Sequence, residues 1–279
     1  MYRGRTLSLS LPPFHGWVKR IVLTCAIVYF LEVVLQAVWR PGYDYLIGFG
    51  GLVPALVVHW GMLWQLVTYS FLHGGVWHVL INMLMLWMFG SQEEQDWGSK
   101  KFLEFYLFCV VGAALTTIAV AYLPRIGGRP GMPTIGASGG IYGLLIAFGM
   151  LYGDREIFMF PLPFMIKAKY MVAIMIFLVI IATFEPSQGG VANFAHLGGL
   201  FFGLLYIKFL PRRGLVFSVS EWYYSMRNEY YRAKRRRAAK KFQVYMKKHG
   251  ESPGTFDEYG NYQPPDDKKN GEGKSGWVN

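Results

Sequence analysis

Apolar residues in this chain come in long runs rather than in alternation. The first run covers residues 18–38, entered through Lys19 and Arg20 and closed by Trp39, Arg40 and Pro41. At roughly twenty residues it is long enough to cross a bilayer and too long for the apolar stretch of a cleaved leader. Further runs cover 63–89, 102–123, 138–152, 170–184 and 191–210, separated by polar or Gly/Pro-rich segments. Residues 124–135 hold Pro124, Gly127, Gly128, Pro130, Gly131 and Pro133, so no helix continues through them. Residues 42–63 differ: the run is short and broken by Gly48, Gly50, Gly51 and Pro54, which suits an interfacial or re-entrant segment. The pattern predicts an all-α membrane protein with six transmembrane helices.

Composition agrees. Of 279 residues, 53% are hydrophobic and only 16% charged, which excludes an ordinary soluble domain. The net charge of +11 is confined to one segment: between Lys208 and Lys248 thirteen Lys/Arg face only Glu221 and Glu229, and the rest of the chain is neutral. Four regions follow: an N-terminal arm (1–17), the helical bundle (18–210), a basic amphipathic juxtamembrane segment (211–250) and a disordered Gly/Pro/Asp/Lys-rich tail (251–279). With the N-terminus inside, the cytoplasmic face receives Arg3, Arg5, Lys19, Arg20, Lys100, Lys101, Arg155, Lys167, Lys169 and the basic segment, and the outer face only Arg40, Arg125 and Arg129. Both termini are therefore expected to be cytoplasmic, in a bacterial cytoplasmic membrane. Basic residues interleaved with aromatics can bind single-stranded nucleic acid. Beside the last span, anionic lipid is the simpler partner, and no nucleic acid is expected. Cys25 and Cys109 both lie in apolar runs and read as small buried side chains, not as a disulfide or zinc site.

Polar groups inside the apolar runs carry the chemistry. The string Gly136-Ala137-Ser138-Gly139-Gly140 opens the fourth run. Taken alone it reads first as packing, because small residues let membrane helices approach closely. The sharper reading makes Ser138 a nucleophile, with glycines clearing space for a substrate backbone. His73, His78 and Asn82 lie in the second run, and Asn193 and His196 in the sixth. In the six-span topology, runs two, four and six all enter from the outer side. A rise of about 1.5 Å per residue lets Ser138, His78 and His196 share the outer half of the bilayer.

Polar side chains there are costly unless paired or wet. A serine hydroxyl needs a base, and His196 is the candidate. Asp44, Asp96 and Asp154 lie in loops and the other aspartates in the tail, so a Ser-His dyad is expected rather than a triad. His78 and Asn82, four residues apart, share a helix face and can join the Ser138 backbone N–H in stabilising an oxyanion. A zinc-protease helix needs HExxH, which is missing, and no metal or cofactor is expected. Each histidine taken singly also reads as a packing residue, and that reading is kept for His73. Glu32, inside the first run, reads as structural or interfacial.

These residues resemble a family. Trp64, His73, His78 and Asn82, then Gly90, Glu94 and Gly98, then GASG at 136–139 with Tyr142, then Asn193-Phe194-Ala195-His196 with Gly199 and Gly203, look like the rhomboid intramembrane serine proteases. The resemblance covers about residues 60–205. It implies a six-helix rhomboid-like bundle that hydrolyses peptide bonds in or beside transmembrane segments of single-span or multi-span membrane proteins. Ser138 would be the nucleophile and His196 the base, with His78, Asn82 and the Ser138 N–H as oxyanion hole, opening to the outer side. Tyr142 would stack on His196, with Gly136, Gly139 and Asn193 in supporting positions. Gly199 and Gly203 would pack span six on span four. Residues 39–63 would be the first-loop element and 185–192 a flap. The family often has Trp-Arg where this chain has Trp64-Gln65, which bears on a first-loop contact. Inactive relatives usually lack the serine or histidine, and this chain keeps both. The alternatives are an inactive rhomboid-like scaffold or chaperone and, less well matched, a transporter or channel.

Overall fold

The computed structural model describes residues 12–123, 129–158, 165–184, 191–209, 215–249, 255–256 and 262–263. Two compact units divide at Arg212/Arg213, and each is taken by itself.

In the first unit, α1 (Gly16–Val38) buries one stripe, Val18, Ile21, Cys25 and Glu32, and exposes Leu23, Ile27, Phe30, Leu31 and Val34. Spacings of three, four and seven residues keep that stripe on one helix face. An apolar outer face of this size is at home against lipid, not water. Two short helices follow where an interfacial element is expected: α2 (Arg40–Gly50), with Pro41 in its first turn, and α3 (Pro54–Trp60). Gly61, at φ 66°, closes α3 in the left-handed conformation. Gln65, wholly buried, ties this element down. Its Oε1 accepts the Val53 N–H at 2.9 Å, and its Nε2 donates to the Gly48 and Phe49 carbonyls at 2.9 and 3.2 Å. The first-loop contact that the Trp64-Gln65 pair puts in question is thus made by the glutamine.

The apolar run 63–89 is not one helix, contrary to its pattern. It divides into α4 (Gln65–Thr68) with a 3-10 turn (Tyr69–Phe71), a break at residues 72–75, and α5 (Val76–Met85). The two halves are bent by 102°. Gly74 and Gly75 sit in the break, where they weaken any continuing helix. The second half then runs further than hydropathy predicts. A π turn (Leu86–Gly90) leads into α6 (Ser91–Trp97), through the polar stretch read as a loop. Two of its three acids are not solvated: Glu93 and Glu94 are buried, while Asp96 is exposed. Glu94 accepts the Trp17 and Val18 N–H groups at 2.7 and 2.9 Å and the Ser99 hydroxyl at 2.5 Å. A carboxylate thus satisfies the free amides opening α1.

Glu93 has no such role. It is fully buried, and neither carboxylate oxygen has a partner among the described residues. An unpaired buried acid destabilises, and an apolar residue of similar volume does not. Glu93→Leu is expected to leave the melting temperature unchanged or raise it by a few degrees. A fall of more than about 5 °C would reveal a stabilising partner.

The centre of the unit is α7 (Ser99–Ala121), α8 (Ser138–Leu151) and α10 (Val191–Phe209), with α9 (Ala168–Phe184) beside α8 and α10. Helices α8 and α10 touch through glycines. Gly199 lies against Gly139 and Gly203 against Gly143, two facing i,i+4 pairs that bring the backbones together. Residues 154–169, read as a loop, contain an antiparallel hairpin of β1 (Glu156–Phe158) and β2 (Met165–Lys167). Lys169 and Lys167 flank its base at 2.7 and 3.5 Å from Asp154, and they hold that carboxyl below its usual range.

By length and apolar composition, α1 and α7 can each cross a membrane, and the bent pair makes a third crossing if counted as one. With 14 residues, α8 rises only about 21 Å, less than a hydrocarbon core of about 30 Å. A helix this short leaves at least one of its ends below a membrane surface.

The second unit contains α11 (Leu215–Lys248), 34 residues long. Tyr223, Tyr224, Tyr230, Tyr231, Phe242 and Tyr245 are exposed and, at 100° per residue, fall within an arc of about 120°. The cations are not segregated with them but encircle the helix: Arg227 and Lys234 lie on the aromatic side, Arg232 and Arg236 opposite. The expected amphipathicity is therefore an aromatic stripe on a helix that is basic all round. Within 251–279, expected to be disordered, Thr255–Phe256 pairs antiparallel with Tyr262–Gln263. Both strands are β-favouring, but a ladder this short has no independent stability.

Candidate active site

Three elements converge on one small cavity of about 110 Å³, lined by Tyr69, His78, Thr134, Ile135, Gly136, Ser138, Ala195 and His196. Ser138 is the first residue of α8, so its backbone N–H has no helical acceptor. His196 lies in the second turn of α10, opposite. Ser138 Oγ and His196 Nε2 are 2.7 Å apart, in hydrogen-bond contact. The serine hydroxyl donates to Nε2 in the tautomer that carries the proton of the neutral ring on Nδ1. Tyr142, one turn along α8, lies over the His196 ring with centroids 4.6 Å apart and planes inclined by 34°. The stack leaves the imidazole little freedom to turn away from the serine.

The second side of the cavity is built by the break before α5. His78 Nδ1 accepts the Gly74 N–H at 3.3 Å, so its proton sits on Nε2. Nε2 and Cε1 form the ring edge nearest Gly136: a Cβ there would stand 2.9 Å from both and 3.6 Å from Ser138 Oγ. Gly136 also has φ 128°, a conformation other residues rarely adopt. Glycine at 136 thus has two causes, backbone conformation and the close approach of His78. Its N–H donates to the Tyr69 carbonyl at 2.9 Å. Thr134 pairs with Leu52 in a short backbone bridge, which fixes the strand-like approach to Ser138.

Other expected site residues are placed differently. Asn82 lies one turn beyond His78 and is 6% exposed. It does not line the cavity, and its Nδ2 has no acceptor among the described residues. Asn193 donates from Nδ2 to the Ala182 carbonyl at 2.8 Å and ties α10 to α9, away from the serine. Gly139, Gly199 and Gly203 belong to the α8–α10 contact. His73 lies behind the cavity, 1% exposed, with its ring 5.2 Å from that of His78. Most of the flap expected at 185–192 lies outside the described residues.

A Rhomboid domain family model matches residues 60–213, more than half of the chain and all three site elements. The chain belongs to the rhomboid family. Rhomboid-like protein 19 of Arabidopsis thaliana is 30% identical over 169 residues, covering 58% of this chain and 53% of that protein. Rhomboid protease GluP of Bacillus subtilis is 30% identical over 162 residues, 57% of this chain and 28% of the relative. Rhomboid protease AarA of Providencia stuartii is 27% identical over 195 residues, 66% and 69% of the two chains. The chain thus spans about half, or less, of the length of the first two. This rhomboid is a membrane protein of a family that includes named proteases.

Sequence reasoning missed one lining residue of consequence. Tyr69 is 1% exposed; its hydroxyl donates to the Val110 carbonyl at 2.9 Å while its own carbonyl holds Gly136. It sits in an apolar run without spacing or charge to mark it, so no sequence signal singled it out.

Proposed function

We propose that this rhomboid is a serine endopeptidase that cleaves membrane proteins in or next to their transmembrane segments. The observation that carries the reading is the 2.7 Å hydrogen bond from the Ser138 hydroxyl to His196 Nε2 inside an apolar helical bundle. Ser138 Oγ attacks the scissile carbonyl carbon as its proton passes to His196 Nε2. The carbonyl π electrons move onto oxygen, where the Ser138 N–H and His78 Nε2–H are donors. Asn82, one turn beyond His78 and outside the cavity lining, would be a third donor only if its Nδ2, which has no acceptor among the described residues, turns toward the oxyanion when substrate enters. Collapse breaks the C–N bond, and the imidazolium returns its proton to the leaving amine. Water then attacks the ester with His196 again as base, releasing the new carboxyl end and regenerating the serine.

The shortness of α8 supports a hydrated recess, because fourteen residues leave an end of the helix below a membrane surface, and Ser138, at one end, is half-buried rather than sealed. The reading includes six spans over residues 18–210, both termini in the cytoplasm of a bacterium and the recess facing outward. It rests there on the Lys/Arg asymmetry. Residues 211–250 would lie on anionic lipid, the cations of α11 meeting phosphate and its tyrosines the headgroup region.

The test is covalent labelling. Purified protein should react with a fluorophosphonate probe at Ser138 and cleave a single-span model substrate. Capture of that substrate without labelling or turnover would instead identify a binding scaffold.

A further inference from the structure

Glu32 is the residue left over once the site is assigned. It faces inward from α1 at 2% exposure, in line with Val18, Ile21 and Cys25, and does not touch the cavity. Both its carboxylate oxygens lie 3.2 Å from the His73 backbone nitrogen, which donates to them. His73 lies in the break between the 3-10 turn and α5, where N–H groups have no helical acceptors. Three consecutive amides there find separate partners. Leu72 N–H donates to the Tyr69 carbonyl at 3.3 Å, His73 N–H to Glu32, and Gly74 N–H to His78 Nδ1.

The middle contact therefore holds the peptide whose neighbour fixes the His78 ring. His73 itself is pinned, its Nδ1 donating to the Phe71 carbonyl at 3.3 Å, and its ring meets that of His78 at 67°. Glu94 anchors the other end of α1, binding the Trp17 and Val18 amides. Helix α1 is thus fastened at both ends to the bent pair. One fastening lies one peptide away from the donor that sets the His78 tautomer. An apolar residue at 32 would leave the His73 N–H buried without a partner, and the break would shift to find one.

We propose that Glu32 is a positioning residue for the oxyanion side of the active site: by holding the His73 N–H it fixes the 72–75 break, and through the Gly74 N–H it presents His78 Nε2–H to the cavity. The inference rests on the proteolytic reading, within which His78 acts on the transition state. Glu32 therefore acts on turnover more than on substrate binding.

The experiment uses the full chain in proteoliposomes with a single-span substrate, reading kcat, KM and melting temperature. Glu32→Leu is expected to lower kcat by about ten-fold or more, with KM within about two-fold. Glu32→Gln, whose Oε1 still accepts the His73 N–H, should restore kcat to within about three-fold. In a His78→Ala background the Glu32→Leu effect should largely vanish, because both changes remove the same donor. If Glu32→Leu does not fold, Glu32→Asp, one methylene short of the amide, is read in the same cycle. Additive effects of the two sites, or kcat within about two-fold of wild type in the Leu or Asp variant, overturn the proposal. Equal loss in the Gln and Leu variants, in step with melting temperature, overturns it too. A wild-type protein that cleaves nothing overturns the proteolytic reading along with it.

Discussion

Ser138→Ala is expected to lower substrate turnover by about 10⁴-fold or more, and His196→Ala by a comparable factor. The two losses should not add. Without the hydroxyl there is nothing for the imidazole to deprotonate, and without the imidazole the hydroxyl keeps its proton. The double variant should therefore be no slower than either single one. What remains in each case is the donor set around the oxyanion, which is why His78→Ala should be milder, at about 10²–10³-fold. Neither the serine nor the histidine variant should unfold the protein, since each removes a half-buried polar group beside a cavity. Turnover of a single-span substrate and the melting temperature, measured together, check this. Wild-type turnover by Ser138→Ala would end the proteolytic reading, and additive losses would end the dyad.

Much of this arrangement was legible in the sequence because membrane burial makes polarity expensive. His78, Ser138 and His196 stood out against apolar runs, and they meet at one cavity. The serine's packing reading was not wrong but incomplete: Gly139 does pack α8 on α10, while Ser138 beside it faces the cavity. Hydropathy failed where backbone geometry decides. It could not see that residues 72–75 bend the second run by 102°, because both halves are apolar. Nor could it see that residues 91–97 are helical, because two of their acids, Glu93 and Glu94, face inward: Glu94 is satisfied by amides 76 and 77 residues away. Glu32 was conspicuous as an acid in a span, but its partner is a backbone N–H, which every residue but proline carries and no sequence marks.

Gly199→Ala is expected to cost both stability and activity, and the coupling between the two losses is the informative part. A Cβ at 199 would overlap the Gly139 carbonyl oxygen of α8, a backbone atom that cannot move aside by a rotamer change. The helices must separate by on the order of an ångström, at a cost of about 1–3 kcal/mol or somewhat more. Gly139 follows Ser138 directly, and Gly199 follows His196 by less than one turn. Widening here therefore stretches the 2.7 Å serine–histidine hydrogen bond past its useful range. A misplacement of that size lowers turnover by about 100-fold even in protein that remains folded. Gly203→Ala tests the same interface one turn further from the cavity, where a Cβ would meet the Ile146 methyl at 2.8 Å and Gly143 Cα at 2.9 Å. It should lower the melting temperature while sparing more of the activity, because the strain is placed away from the dyad. Equal activity loss in the two alanine variants would show that the glycine pairs set overall stability alone. Wild-type melting and turnover in Gly199→Ala would mean that α8 and α10 lie further apart at residue 199 than the contact with the Gly139 carbonyl implies, and that this contact does not set the dyad distance.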